Sequence, residues 1–414
     1  MSSSVLPLLF DLVIIVAAAK AAGLLSTYLR QQAVLGELLA GLLLGPSLLD
    51  LLSWAPLQSA PHLAEVIAEF AELGVILLMF IAGLEVDLGQ MRKSGGVVLL
   101  AGTLGVVVPL VLGMLTALPF GYLPVQALAI GMLLTATSVS ISAQTLLELG
   151  ALRSKEGIAL LGAAVVDDVL VIILLSAFLA VTGGNGAGLL GILWLIARMV
   201  IFLALFGLFG WLVLPWFFDR VARLPISQGL VAASVVVTLA YAWSAEVVGH
   251  IAMITGAFMA GIFAARSAVH RSIYEGVSAL TYGFFVPIFF INIGLHADVR
   301  GLSGSTLVLS LLIVAVAILS KVVGCGLGAL IGGFNAGEAL RLGTGMISRG
   351  EVGLIVATMI VASGIVPEEV ITLAVLMVLS TTLVTPPLLR IVFAGQRQPE
   401  EAAVGVPTEN VEAQ

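Results

Sequence analysis

The stretch Thr135–Ser142, TATSVSIS, places five hydroxyl side chains inside a long run of apolar residues. A second apolar run is interrupted in the same way by Ser348–Gly353, SRGEVG, which carries both an arginine and a glutamate. Arg349 follows Ser138 by 211 positions, so the two interruptions occupy comparable places in the two halves of the chain. Unwound backbone at membrane depth is tolerated only where protein or a water-filled cavity surrounds it. If these runs cross a membrane, the two breaks are predicted to face the interior of the molecule.

The composition of the whole chain places these runs in a lipid bilayer. Of the 414 residues, 60% are hydrophobic and only 10% are charged, whereas soluble domains carry roughly 25% charged residues. Apolar runs of ~20 residues, enough to span a bilayer, recur along the chain. The sequence therefore predicts an all-α polytopic membrane protein and excludes a soluble globule. We expect no disulfide from the single cysteine, no enzymatic activity, no cofactor and no nucleic-acid partner.

Polar breaks divide the chain into thirteen candidate transmembrane helices. They are predicted at 5–25, 32–52, 63–86, 95–118, 122–149, 156–182, 188–218, 227–247, 250–266, 273–295, 302–332, 338–364 and 368–393. Twelve basic residues fall in alternate loops or after the last helix, and the opposite loops hold only Arg300. Because cytoplasmic loops are enriched in lysine and arginine, the N-terminus is predicted outside and the C-terminus inside. The polar segment 395–414 is predicted to be a disordered cytoplasmic tail.

Two short similarities indicate an internal repeat. Gly83–Asp87 and Gly294–Asp298 share the pattern Gly-Leu-x-x-Asp, which relates the third helix to the tenth. Gly36–Gly41 and Gly256–Gly261 share Gly-x-x-x-Ala-Gly, which relates the second helix to the ninth. A displacement of seven helices reverses the chain direction, so inverted-topology repeats are predicted, with the two polar breaks as interrupted crossing helices. Secondary transporters use this architecture, with substrate sites near the midplane; chance matching of small-residue patterns is the alternative.

Five ionisable residues fall at membrane depth, namely Asp167, Asp168, Lys321, Arg349 and Glu351. Each costs about 2.5–3.5 kcal/mol on insertion scales, so they are expected to pair or to reach water, and a function is the first hypothesis. Adjacent helical residues point about 100° apart. One aspartate can therefore pair with a cation from a neighbouring helix while the other faces an aqueous funnel. The alternative is a structural ion pair that holds helices together, which leaves the second aspartate unexplained.

The aspartate pair has the chemistry of a site for monovalent cations and protons. A carboxylate in a low dielectric beside an ammonium group is poised to bind either a proton or a metal cation. Asp167 and Asp168 are therefore candidate ligands of a hard alkali ion. The unwound backbone near Thr137 and Ser138 is expected to complete the oxygen shell of this ion.

Other polar and small residues near the breaks are expected to have structural roles. Arg349 and Glu351 can neutralise the helix ends that the two breaks open, and so stabilise the crossover. Gly324, Gly328 and Gly332 recur every four residues after the lysine, which favours close packing of that helix against a neighbour.

Six motifs carry a resemblance to a known family. They are Thr135–Gly150 (TATSVSISAQTLLELG), Val165–Asp168 (VVDD), Leu319–Gly324 (LSKVVG), Arg349–Leu354 (RGEVGL), Gly36–Gly41 (GELLAG) and Phe80–Glu85 (FIAGLE). Together they resemble bacterial sodium/proton antiporters of the second cation/proton antiporter family, in particular its NapA-like branch. The similarity covers essentially the whole chain apart from the tail.

The resemblance implies a NapA-like antiporter fold of thirteen helices that works as a homodimer in the bilayer. A moving core domain would carry the ion past a static interface domain. The implied divisions are 1–90 and 225–298 for the interface domain, 91–184 and 299–394 for the core domain, 185–224 for a linker helix, and 395–414 for the tail.

The resemblance also implies roles for the buried charges. In the family, the aspartate matching Asp168 is the principal ion-binding carboxylate. The aspartate matching Asp167 forms a salt bridge with the lysine matching Lys321. Sodium and protons compete for this site, which is exposed alternately to the two sides. We therefore expect a sodium/proton antiporter of the bacterial inner membrane, and the Asp-Asp pair is associated with electrogenic exchange.

Several alternatives remain open on these residues. Kef-type potassium/proton antiporters are similar but carry Gln-Asp at the aspartate pair and commonly a nucleotide-binding domain. Ser140 stands where close relatives often have glycine, so the choice between sodium, lithium and potassium stays open. A sodium-coupled symporter of an organic solute is disfavoured, because adjacent acids repel organic anions. A channel-like efflux pathway is the third class.

Overall fold

A computed structural model describes residues 5–29, 31, 33–46, 48–51, 63–86, 94–182, 188–295, 304–367 and 369–394, and the regular structure in them is helical. The α-helices are α1 (Val5–Tyr28), α2 (Ala33–Leu44), α3 (Leu63–Leu84), α4 (Gly95–Ala117), α5 (Pro124–Leu133), α6 (Val139–Glu148), α7 (Lys155–Thr182), α8 (Gly188–Val221), α9 (Gly229–Ser244), α10 (Met253–Ala264), α11 (His270–Leu280), α12 (Val286–Leu295), α13 (Gly304–Ile331), α14 (Ala336–Gly345), α15 (Glu351–Ala362) and α16 (Glu369–Phe393). Two π-helical segments extend these elements, since Ala245–Gly249 follows α9 and Thr281–Phe285 joins α11 to α12.

The helices of the described residues have the dimensions of membrane spans. When each π-helical segment is counted with the helices that it extends, nine helices of the described residues are long and apolar enough to cross a bilayer. Four shorter apolar helices accompany them. A helix pairs its own backbone N–H and C=O groups, which hydrocarbon requires. The prediction of an all-helical membrane protein is therefore confirmed. The second predicted run, 32–52, is helical only as far as Leu44, because Gly45 and Pro46 follow and proline cannot continue the backbone pattern.

The two polar breaks divide their runs into pairs of shorter helices that meet each other. Residues 134–138 separate α5 from α6, and residues 346–350 separate α14 from α15. The Ser138 N–H donates to the Ser348 carbonyl at 2.8 Å, and the Ser348 hydroxyl donates to the Ser138 carbonyl at 2.5 Å. The first break is shorter than its polar stretch, because helix α6 already includes Ser140 and Ser142. Both hydroxyls nevertheless point into the contact between the breaks.

Helices α4 and α13 pack closely through the predicted stripe of glycines. A Cβ atom at Gly324, Gly328 or Gly332 would stand within 2.4–2.7 Å of backbone atoms of α4. No real side chain fits at such distances, so glycine at these positions lets the two backbones touch. The interpretation of this stripe as a packing surface is confirmed. It fixes the face of α13, and with it the position of the lysine one turn earlier.

The Gly-x-x-x-Ala-Gly motifs of α2 and α10 make equivalent contacts. Gly36 lies against the backbone of α1 and Gly256 against that of α9, the preceding helix in each case. Gly41 lies against α12, and Gly261 lies against α3. Each motif therefore joins its own predecessor to a helix of the other half of the chain. The aspartates at 87 and 298 that complete the other repeated motif lie outside the described residues, as does the tail from 395.

Contacts sort the helices into two groups. Helices α1 to α3 pack with α9 to α12, and helices α4 to α7 pack with α13 to α16. Helix α8 lies against α7 of one group and against α9 and α10 of the other. The two groups also meet where α2 and α3 contact α6 and where α2 contacts α16.

Candidate functional site

Asp167 of α7 and Lys321 of α13 form an ion pair inside the second group of helices. Lys321 Nζ lies 2.7 Å from Asp167 Oδ1, and neither side chain has any exposed surface. This is the length of a charge-assisted hydrogen bond. Gly105 of α4 lies beside the pair, and a Cβ there would clash with Cys325 Sγ at 2.5 Å and would touch both charged groups at ordinary contact distance, below 4 Å. The sequence indicated the charges but not Gly105, since a glycine in an apolar helix is unremarkable.

Asp168 points away from this pair, as the next residue on a helix must. Its side chain is only 5% exposed, and its Oδ2 lies 3.4 Å from the hydroxyl of Thr255 on α10. Helix α10 belongs to the first group of helices, so Asp168 lies where the two groups face each other. Sequence reasoning missed Thr255, because one threonine in an apolar helix has neither charge nor periodicity to mark it.

Thr137, in the first break, supplies an oxygen beside the ion pair. Its hydroxyl faces the carboxylate of Asp167 in a contact that is looser than a standard hydrogen bond. Within the described residues, Thr137 Oγ1 and Asp167 Oδ2 are both buried without a hydrogen-bond partner. A buried polar atom left unsatisfied costs about 1–3 kcal/mol. A cation between these two oxygens would satisfy both, so the pair has the chemistry of an alkali-ion ligand set.

Ser138, the other predicted ligand of the first break, is engaged in the crossover. Its backbone N–H and carbonyl both bond to Ser348, and its hydroxyl lies 3.1 Å from that of Ser140. Gly350 packs on the Ser138 side chain so closely that a Cβ would stand 2.7 Å from its hydroxyl. Ser138 therefore joins the two breaks, and its role as an ion ligand stays a prediction.

Arg349 is fully buried between the two breaks. Its guanidinium group donates to the carbonyl of Leu134, at the end of α5, at 2.9 Å, and to the carbonyl of Ile347. Its own backbone is held from α16, where Thr381 Oγ1 accepts from its N–H and Thr382 Oγ1 donates to its carbonyl. A cation at a helix C-terminus offsets the negative end of the helix dipole.

Glu351, the other charge expected to stabilise the crossover, is the first residue of α15. Its side chain lies outside the described part of the structure. The backbone position alone places it at the N-terminal end of a helix, where a carboxylate is favoured by the dipole.

A cavity of about 490 Å³ lies where α2 begins and α6 ends. Glu148, the last residue of α6, accepts hydrogen bonds from the backbone N–H groups of Ala33 at 2.7 Å and Val34 at 3.3 Å. These are the first residues of α2, so the carboxylate caps a helix of the other group. Glu37 of α2 also lines this cavity and lies 3.4 Å from Lys20 Nζ. Polar contacts therefore join the two groups at this end.

A second cavity, of about 410 Å³, lies between α3 and the start of α10. Ile254 of α10 and Val352 of α15 belong to its wall, and Ile254 immediately precedes Thr255. Three carboxylates line it as well, from Glu69, Glu72 and Glu246. Within the described residues, no group of three or more histidine, cysteine, aspartate or glutamate side chains could hold a metal ion.

Known proteins resemble this chain over nearly its whole length. Residues 13–395 match the family model described as sodium/hydrogen exchanger, transmembrane. The Na⁺/H⁺-K⁺ antiporter GerN of Bacillus cereus is 36% identical, over 95% of this chain and 98% of its own length. A Na⁺/H⁺ antiporter of Enterococcus hirae is 36% identical, over 86% of this chain and 91% of its own length.

A solved structure has the same fold. The sodium proton antiporter MjNhaP1 from Methanocaldococcus jannaschii superposes with a TM-score of 0.68 at 15% sequence identity, over 95% of this chain and 98% of that one. The resemblance to sodium/proton antiporters is confirmed at the level of the family, while the NapA-like branch stays a prediction. The chain belongs to the sodium/hydrogen exchanger family.

Proposed function

We propose that this protein is a secondary active antiporter that exchanges cytoplasmic sodium ions for external protons. The observation that carries the proposal is the buried Asp167–Lys321 pair with Asp168 beside it, next to Thr137 of the first break. Relatives named as sodium/proton antiporters share 36% of their residues with this chain. The exchange needs titratable carboxylates but no catalytic group and no resident cofactor.

The proposed cycle uses Asp168 as the carboxylate that holds either a proton or Na⁺. On the cytoplasmic side sodium displaces protons from the site, and on the outside protons displace sodium. When Na⁺ binds, Asp167 turns from Lys321 to the ion, with Thr137 as a further oxygen ligand. When sodium leaves, the ion pair with Lys321 re-forms. For each sodium ion that binds, one proton leaves Asp168 and a second leaves the opened Asp167–Lys321 pair. More protons than sodium ions are then exchanged, and the exchange is electrogenic.

The architecture that we propose has thirteen crossings, inverted repeats and two interrupted helices, with the N-terminus outside and the C-terminus in the cytoplasm of a bacterial inner membrane. The two contact groups support a division into an interface domain (1–90 and 225–298) and a core domain (91–184 and 299–394). Helix α8, which touches both groups, suits the linker at 185–224. We propose that the core moves against the interface domain of a homodimer, which gives alternating access.

Asp168→Asn tests the assignment of the ion site. The amide keeps the shape of the side chain but binds neither a proton nor a cation with a full charge. Sodium-dependent antiport, followed by dye quenching in proteoliposomes of the full chain, is expected to vanish. Asp219→Asn is the matched control. Asp219, near the end of α8, accepts a hydrogen bond from the backbone N–H of Ala268 in the turn after α10, so this variant is expected to retain transport. Undiminished activity of Asp168→Asn would refute the site.

Potassium/proton exchange is the second candidate function. GerN of Bacillus cereus is named for both sodium and potassium, and the hydroxyl of Ser140 adds a polar group beside the first break. Initial rates with sodium, lithium and potassium at one pH separate the two functions. A preference for potassium would replace sodium as the transported ion and leave the site unchanged.

A further inference from the structure

Thr255 reaches the ion site from a helix outside the group that holds the other charges. Its side chain is 2% exposed, and its Oγ1 lies 3.4 Å from Asp168 Oδ2. The next residue, Gly256, is pressed against α9, where a Cβ would stand 2.4 Å from the carbonyl oxygen of Tyr241. Close backbone packing therefore fixes the position from which the Thr255 hydroxyl faces the carboxylate.

The distance between the two oxygens is informative. Hydrogen bonds between oxygen atoms usually measure about 2.5–3.0 Å, so 3.4 Å is long for one. Oxygen ligands surround hard cations of sodium's size at roughly 2.4 Å, so neighbouring ligands of an octahedral site stand ~3.4 Å apart. The spacing of Thr255 Oγ1 and Asp168 Oδ2 thus fits two ligands of one cation.

The cavity of about 410 Å³ borders the residues of α10 that come directly before Thr255. Ile254, the residue before Thr255, is part of its wall, together with Val352 at the start of α15. The wall also carries carboxylates, which raise the local concentration of cations. These carboxylates belong to Glu69, Glu72 and Glu246.

We propose that Thr255 supplies its hydroxyl oxygen to the cation that Asp168 binds, and that this ligand is available only when α7 stands opposite α10. This proposal rests on the proposed antiport and names a further residue of the same site. The bound ion then bridges the two groups of helices, Asp168 from one and Thr255 from the other. When the groups shift against each other, the ion loses one ligand, so the site binds sodium more tightly in the position described here.

Thr255→Val and Thr255→Ser test this role. Valine keeps the branched shape but lacks the oxygen, whereas serine keeps the oxygen. In proteoliposomes of the full chain, Thr255→Val is expected to raise the KM for sodium by about tenfold, with kcat within about twofold of the wild type. Thr255→Ser is expected to restore the wild-type KM to within about twofold. The matched control is Thr238→Val, because the Thr238 hydroxyl bonds only within its own helix, to the Ser234 carbonyl at 2.7 Å.

The outcomes separate this inference from the antiport itself. A wild-type KM in Thr255→Val, or an equal rise of the KM in Thr255→Ser, would overturn the role of the hydroxyl. The antiport assignment would still stand if the wild type is active and Asp168→Asn is inactive. A wild type without sodium-dependent exchange would overturn both proposals. If Thr255→Val does not yield folded protein, Thr255→Ala takes its place with the same expected KM and the same contrast with serine.

Discussion

Lys321 and Asp167 show how single residues set both stability and chemistry in this molecule. Each charge alone would be costly in the hydrocarbon, but together they make a 2.7 Å contact without any exposed surface. In such a pair the loss of one partner is more harmful than the loss of both, because an uncompensated charge remains buried.

Lys321→Met should destabilise the protein more than the double variant Lys321→Met/Asp167→Asn. The single substitution leaves a buried carboxylate unpaired and is expected to lower the free energy of unfolding by about 3 kcal/mol. The double substitution removes both charges and should recover most of this loss. Thermal unfolding of the purified protein in detergent, followed by tryptophan fluorescence, measures the difference. Equal melting temperatures for the two variants would show that Asp167 has another counter-charge.

The charged residues of the site can be predicted from the sequence, because a charge in an apolar run is easily recognised and has a high free-energy cost in the membrane. Asp167, Asp168 and Lys321 were identified in this way, and two of them are in direct contact. Thr255 and Gly105 could not be identified from the sequence. A lone threonine and a lone glycine are ordinary in membrane helices, and only the three-dimensional neighbours reveal that they face the carboxylates.

At the scale of the elements, the two broken helices hold each other in place. Their unwound segments exchange backbone and hydroxyl hydrogen bonds, and the guanidinium group of Arg349 caps the end of α5. The sequence predicted where the polar residues of this crossing lie. It did not predict that α6 begins at Val139. The hydroxyl of Ser142 bonds across the crossing to Ser348, and that of Ser140 bonds to Ser138 in the same break, so both serines are satisfied within a helix.

Gly328→Ala and Gly326→Ala are expected to differ sharply although both lie on α13. A Cβ at Gly328 would stand 2.4 Å from the carbonyl oxygen of Leu100, so α4 and α13 would have to separate. A Cβ at Gly326 meets its nearest neighbour, the carbonyl oxygen of Ala339, at 3.6 Å. Overpacking of a well-packed interface costs about 1–3 kcal/mol, whereas alanine in an open helical position is favoured over glycine by about 1 kcal/mol.

Melting temperatures of the two variants in detergent check this pair. Gly328→Ala should unfold at a lower temperature than the wild type, and Gly326→Ala should unfold at the same or a higher one. A wild-type melting temperature of Gly328→Ala would mean that α4 can move away at this contact. The glycine stripe would then not determine the position of Lys321.

At the scale of the whole molecule, the proposed ion-binding carboxylate of Asp168 lies between two groups of helices with different packing partners. Asp168 belongs to the group of α7, and its neighbour Thr255 belongs to the group of α10. Polar contacts such as Glu148 with the start of α2 join the groups elsewhere. Relative movement of the groups would change which side of the membrane reaches the aspartates, with little change inside either group.

Transport should respond to the membrane potential if the exchange moves more protons than sodium ions. An inside-negative potential then drives net positive charge inward and accelerates sodium extrusion. Proteoliposomes with a potassium gradient and valinomycin supply the potential, and the same vesicles with equal potassium on both sides are the control. Equal rates of sodium extrusion with and without the potential would indicate exchange of one proton for one sodium ion. In that case the Asp167–Lys321 pair would not contribute a second proton.

The reciprocal glycine contacts constrain how the molecule is made. Gly41 of α2 fits against α12, and Gly261 of α10 fits against α3, so each half of the chain fills a groove in the other. A nascent chain that has inserted α1 to α3 keeps the contact surface of α3 open until α10 has been made, and that of α2 open until α12 has been made. Early and late helices must therefore find each other within the lipid after insertion, and the first half cannot mature as an independent folding unit ahead of the second.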